Sequence, residues 1–121
     1  MSTDVSSSCH CGSVRLEVDT PPSEVTECNC SQCRRYGIMW AYYPPHQVRM
    51  VPADAPTDVY MWGGRSIEFH RCRNCGWISH WAAVDCGRNR MGVNARLMDQ
   101  EVLAGVRVRH LDGADTNRYT D

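Results

Sequence analysis

The sequence predicts an all-β fold of many short strands, and three observations lead there. Several segments alternate apolar and polar residues with a period of two, as in Val14, Leu16 and Val18 against Arg15, Glu17 and Asp19. Others are short runs rich in aromatic and branched residues, such as Ile38-Met39-Trp40-Ala41-Tyr42-Tyr43, which suit a buried strand. Gly and Pro clusters punctuate these runs closely and leave no room for a linker, so residues 1–121 are assigned to one domain.

Taken in order, the first strand covers residues 14–18 and is broken by Pro21-Pro22. A short segment around Val25 leads into the loop Cys28-Asn29-Cys30-Ser31-Gln32-Cys33, and residues 38–43 form the next strand, stopped by Pro44-Pro45. Strands are expected at 48–51 and 59–62, with Gly63-Gly64 turning the chain after the second. Residues 67–70 run into Cys72-Arg73-Asn74-Cys75-Gly76, and a strand over 77–83 follows. Alternation marks further strands at 93–97 and 106–109, separated by a helical turn with Asp99 as cap and Gly105 as stop. The tail reads as a turn at Asp112-Gly113-Ala114-Asp115 followed by polar residues expected to fray.

Residues 1–8 are polar, with no basic start and no apolar run, so no signal peptide is predicted, and no segment reaches membrane-spanning length. The expected location is the cytoplasm, where thiols stay reduced and paired Cys motifs favour metal or redox chemistry over disulfides. The formal net charge of −1 gives no long-range pull on nucleic acid or an anionic membrane. All 13 basic residues are Arg, so an anion site would use planar bidentate forks. Oligomeric state is not legible.

The eight Cys fall at 9, 11, 28, 30, 33, 72, 75 and 86. In Cys9-His10-Cys11 and Cys28-Asn29-Cys30 only one residue separates the partners, too tight for an easy disulfide, yet both sulfurs can meet one ion. The simplest partition joins Cys9 and Cys11 to Cys72 and Cys75 in a closed four-thiolate structural site. Cys28, Cys30 and Cys33 then form a second site with its fourth position open to water or substrate. The other pairing, Cys72 and Cys75 with Cys30 and Cys33 in a zinc ribbon, leaves Cys9 and Cys11 unexplained but satisfies the spacing as well. Zinc suits such thiolate sets, without iron being excluded. Arg71, Arg73, Arg34 and Arg35 sit beside these Cys in sequence and would offset thiolate charge, or else are ordinary surface residues.

Three stretches carry a resemblance: Ser8-Cys9-His10-Cys11-Gly12-Ser13-Val14, Cys28-Asn29-Cys30-Ser31-Gln32-Cys33-Arg34-Arg35, and Cys72-x-x-Cys75-Gly76. In this order, with Gly92-Val93-Asn94-Ala95-Arg96-Leu97 after them, the chain resembles the glutathione-dependent formaldehyde-activating enzyme family, whose domain is shared with centromere protein V. The resemblance implies a β-tent of short antiparallel strands with two zincs, one structural on Cys9, Cys11, Cys72 and Cys75, the other on Cys28, Cys30 and Cys33. It also implies a zinc-dependent carbon–sulfur lyase activity joining glutathione to formaldehyde as S-hydroxymethylglutathione. Phe69 is separated from Cys72 by His70 and Arg71, where many members have Phe adjacent. The competing function is a zinc-stapled binding domain without catalysis; nucleic-acid or cytoskeletal binding, suggested by the centromere relatives, lacks a basic tail to support it.

For that chemistry the partners are a small thiol and an aldehyde. Coordination would yield the thiolate at neutral pH, the metal would polarise the carbonyl, or a bound hydroxide would take the thiol proton. Arg34, Arg35 or Arg96 would bind glutathione carboxylates. His10 is expected to point away from its knuckle. His80 is either a structural His or a general base, with Asn94 equally ambiguous and His70 a further histidine near the second knuckle. Trp40, Trp62, Trp77 and Trp81 either line a substrate cleft or, as is commoner for large aromatics in a small all-β domain, sit in the core; Tyr36 is expected near the pocket, and Cys86 as a lone thiol or a fourth ligand of the open zinc.

Overall fold

Alternating residues of the central strands feed two separate cores, and that division positions the site. The computed structural model describes residues 5–85 and 87–121. Cys86 lies outside the described residues. The first five strands are β1 (Val5–Ser8), β2 (Arg15–Val18), β3 (Glu24–Cys28), β4 (Met39–Tyr43) and β5 (Val48–Val51). Five more follow: β6 (Thr57–Tyr60), β7 (Ile67–Cys72), β8 (Ile78–Ala83), β9 (Met91–Asn94) and β10 (Arg107–Leu111). They form a small sheet in the order β1-β2-β5 and a large one in the order β10-β3-β4-β9-β8-β7-β6. The all-β class is as expected. Pairing is antiparallel except between β10 and β3, which run parallel.

One core lies between the sheets, where Leu16 and Val18 meet Val25, Met39, Ala41 and Val93. Each fully buried aliphatic of this kind contributes on the order of 1.5–3 kcal/mol. On β4 the intervening residue Trp40 turns to the opposite face, into a second core with Phe69, Ile78, Trp81, Cys30 and Cys33. A row crosses the large sheet on this face: Phe69 opposite Trp81, Trp81 opposite Gly92, and Gly92 opposite Tyr42. Gly92 has no side chain because the Trp81 indole occupies that space, and any Cβ there would collide with it. Tyr42 meets Trp81 edge-on across the gap, with ring centroids 6.1 Å apart.

The structure departs from the sequence reading in instructive places. β1 is Ser-rich and gave no apolar signal; it pairs with β2, and its buried Ser7 donates through Oγ to the Asn94 carbonyl at 3.0 Å. β6 ends at Tyr60, so Trp62 falls in the following turn, and β8 begins at Ile78, leaving Trp77 outside. Residues 93–97 are not one strand: β9 stops at Asn94, whose Oδ1 accepts from the Arg96 N–H at 3.1 Å, and Ala95–Leu97 form a 3-10 turn. A helical turn does follow Asp99, over Gln100–Leu103, but the Asp99 side chain makes no capping bond. The tail is tied down rather than frayed. The Asp112 N–H donates to the Arg118 carbonyl at 2.8 Å and the Thr120 N–H to the His110 carbonyl at 2.9 Å. Tyr119 bonds Thr26 through the hydroxyls at 2.9 Å, under the guanidinium of Arg109. Among the described residues no helix is long and apolar enough to cross a membrane.

The fit of Trp81 over Gly92 is testable. Gly92→Ala is expected to lower stability in urea denaturation by about 2 kcal/mol, the usual cost of overpacking a filled core; unchanged stability would show that the indole can move aside.

Candidate metal centre and active site

The seven described cysteines are free thiols, and they form two groups. In the first, Cys9, Cys11, Cys72 and Cys75 place their sulfurs within 4.8 Å of one another. Cys9 and Cys11 are 3.7 Å apart and Cys11 and Cys72 3.6 Å. A tetrahedral ion with metal–sulfur bonds of about 2.3 Å needs its sulfurs about 3.8 Å apart, so the set fits a thiolate-bound metal. Two alike turns present these side chains. Gly12 donates its N–H to the Cys9 carbonyl and Gly76 to the Cys72 carbonyl, both with positive φ, which favours glycine. Main-chain N–H groups of Val14 and Cys75 point at the sulfurs of Cys9 and Cys72, at 3.3 and 3.5 Å. Burial pushes the Cys9 thiol up to about 11 while Ser13 holds exposed Cys11 near 5, so without a cation the set does not ionise as a whole.

The second group is Cys28, Cys30 and Cys33, with the same mutual reach. Cys28 ends β3, and Cys33 opens the one-turn helix α1 (Cys33–Tyr36), so strand end and helix start bring the sulfurs together. The Cys33 N–H donates to Cys30 Sγ at 3.4 Å, and the Trp40 indole N–H to Cys33 Sγ at 3.4 Å. The main chain of Gly113 presses so closely on Cys28 that a Cβ there would collide with its sulfur. The contact from Cys33 holds the Cys28 thiol near 5, and the same contact with burial drives Cys33 up. Each group can hold a metal ion.

Two cavities meet at this second group, with Cys28, Cys33 and Leu111 lining both. One, of about 340 Å³, is walled by Trp40, Tyr42, Trp62, Phe69 and Trp81, with Arg88 at the Trp81 ring. The other, of about 500 Å³, carries the polar side chains Glu27, Asn29, Arg34, His110, Asp112 and Thr120 beside Ile38 and Leu111. The tail closes over the cluster. Asn29 and Asp112 are bonded through their side chains at 2.9 Å, and Asn29 Oδ1 accepts from the Ala114 N–H at 2.9 Å.

Of the three candidate arginines, only Arg34 lines a cavity at the cluster. Arg35 donates to the Ser31 carbonyl at 2.6 Å, and Arg96 to the Gly37 carbonyl at 2.7 Å with Glu27 beyond, so both brace the Cys loop. Arg73 pairs with Asp58 at 3.1 Å. The tryptophans are not simply core: Trp40, Trp62 and Trp81 wall the aromatic cleft, and exposed Trp77 stacks on His10 with centroids 5.5 Å apart. Tyr36 is exposed in a separate depression with Gln32 and Tyr60, not at the cluster. His80 lines neither cavity; it stacks on His70 at 4.4 Å and bonds Ser79 Oγ at 2.7 Å. Burial, with the charge of His70, pushes its imidazole down to about 3, so it stays neutral. Asn94 bonds the Ile78 carbonyl at 2.8 Å and serves the fold. The sequence reading missed Gly113, Arg88 and Asn117 at the cluster and its cleft; the Asp112-Gly113 turn was its only trace.

A search of curated proteins gives no match. Among solved structures, a Rhodobacter sphaeroides protein determined by structural genomics is similar, at 28% identity and a TM-score of 0.69, covering 85% of this chain and 98% of its own. The family model described as "Glutathione-dependent formaldehyde-activating enzyme" matches residues 4–110, short of the tail that closes over Cys28. With that match over most of its length, and with thiol groups that can hold metal, the chain belongs to the glutathione-dependent formaldehyde-activating enzyme family.

Proposed function

We propose that this chain is a zinc-dependent enzyme of the carbon–sulfur lyase type, making and breaking the adduct of a thiol and an aldehyde. Glutathione and formaldehyde, giving S-hydroxymethylglutathione, are the first reactants to test. The observation that carries the reading is the division of seven thiols into a set of four and a set of three, the latter at the junction of two cavities. Cys9, Cys11, Cys72 and Cys75 would hold a structural zinc, and Cys28, Cys30 and Cys33 the working one. Bound by three thiolates, zinc supplies Lewis acidity and a position for an outside ligand.

In the reaction the thiol sulfur bonds to the carbonyl carbon, the carbonyl electron pair moves onto oxygen, and the thiol proton ends on that oxygen. No electron donor is needed. The chain's own residues fix the donor set beforehand: the Trp40 N–H on Cys33, the Cys33 N–H on Cys30, and the Gly113 main chain against Cys28. Arg34 offers the larger cavity a fork for a carboxylate of the thiol. We read residues 1–121 as one domain working in the cytoplasm, where reduced thiols persist.

Exchange among formaldehyde, glutathione and their adduct, followed by NMR, is expected to accelerate with protein and to return to the uncatalysed rate after chelation. No acceleration would support a zinc-stapled binding domain instead. Gly113→Ala is expected to weaken cobalt binding at the three-thiol site at least about tenfold, as loss of outer-shell support does elsewhere. Two cobalt ions bound as tightly as in the wild type would show that the tail does not support Cys28.

A further inference from the structure

We infer that the aromatic cleft receives the aldehyde, and that the aldehyde it fits carries an aromatic ring, while the thiol enters through the other cavity. This rests on the thiol–aldehyde reading of the three-thiol site and deepens it. Formaldehyde has two heavy atoms and, at about 30 Å³ per water-sized body, needs on the order of 60 Å³. The cleft offers about 340 Å³, within the range of sites that bury a whole small molecule.

Its lining is selective in kind. Five aromatic side chains, Trp40, Tyr42, Trp62, Phe69 and Trp81, face one space beside Cys28 and Cys33. Burial pushes the Tyr42 hydroxyl up to about 12, so that wall is uncharged. Trp62 is 39% exposed at the rim, yet its indole N–H donates to Gln32 Oε1 at 2.9 Å, which fixes the ring to the Cys loop. Gly92 makes room for the Trp81 indole, which forms part of the cleft wall.

Hydrogen-bonding side chains divide the reactants. Glutathione has two carboxylates, whereas among the described residues Arg88 is the only cation lining this cleft, and it lies over the Trp81 ring at 5.1 Å. The other cavity presents groups of both signs, Arg34 and His110 beside Glu27 and Asp112, with Asn29 and Thr120 between them, which suit a peptide-like thiol carrying an ammonium group as well as carboxylates. With the thiol on that side, its sulfur reaches Cys28 and Cys33 from one cavity and the carbonyl from the other. The sulfur–carbon bond forms at their junction, the carbonyl pair moves to oxygen, and oxygen takes the thiol proton; an aromatic aldehyde changes nothing in that balance.

The test compares benzaldehyde with formaldehyde, each with glutathione, on metal-loaded protein. Saturation-transfer NMR with benzaldehyde alone should show transfer to its ring protons in the wild type and at least a fivefold loss in Trp62→Ala. Exchange should be accelerated for both aldehydes, with the benzaldehyde-to-formaldehyde ratio of kcat/KM falling at least fivefold in Trp62→Ala. Trp77→Ala, an exposed tryptophan lining neither cavity, should leave that ratio unchanged. Acceleration with formaldehyde but not benzaldehyde, or an unchanged ratio in Trp62→Ala, would overturn the inference while leaving the thiol–aldehyde reading intact. No acceleration with either aldehyde would overturn both.

Discussion

The register of β4 is the constraint on which the rest depends. Met39, Ala41 and Tyr43 fill the core between the sheets, and Trp40 and Tyr42 turn to the other face, against the Cys loop and the cleft. A slip of one residue would exchange these faces, putting the indole that donates to Cys33 into the aliphatic core. The strand is held on both edges, by β3 with Thr26 opposite Trp40 and by β9 with Asn94 opposite Trp40. The hydrophobic core and the thiol site are therefore fixed by the same alternation.

The proposed division of the two thiol groups into staple and workplace rests on their different surroundings. The four-thiol group ties β1's end and β2's start to the end of β7, positions 61 residues apart at Cys11 and Cys72. It packs in its own small core with Val14 and Ala55, and Cys9 and Cys72 are buried there. The three-thiol group sits instead where two cavities meet, one walled by aromatic rings and the other carrying polar side chains. Its supports come from four directions: Trp40 from the sheet, Arg35 and Arg96 on loop carbonyls, and Gly113 from the tail. Such bracing keeps a donor set in place without filling the space beside it.

Much of this was legible because the chemistry-bearing residues are local in sequence. The knuckles, the strands around 14–18, 38–43 and 48–51, and the helical turn after Asp99 follow from periodicity and punctuation. What could not be read depends on partners distant in the chain. β1 has three serines and becomes a strand because β2 offers it an edge and Asn94 takes the hydroxyl of Ser7. β10 looks like an ordinary alternating strand, and nothing in it foretells parallel pairing with β3. The tail reads as polar, but Tyr119, Asp112 and Gly113 find Thr26, Asn29 and Cys28 between 83 and 93 positions earlier. Trp62 looks like core by composition, while two glycines after it turn the chain and leave the ring at a cavity rim.

The central claim is that two metal sites of different character share this chain. Metal analysis of the wild type and Cys30→Ser after limited chelation tests it most directly. The account predicts two zinc ions per wild-type chain, one readily removed, and a single tightly held ion in Cys30→Ser with thermal stability largely retained. Loss of the tightly held ion in Cys30→Ser, with collapse of the fold, would contradict it.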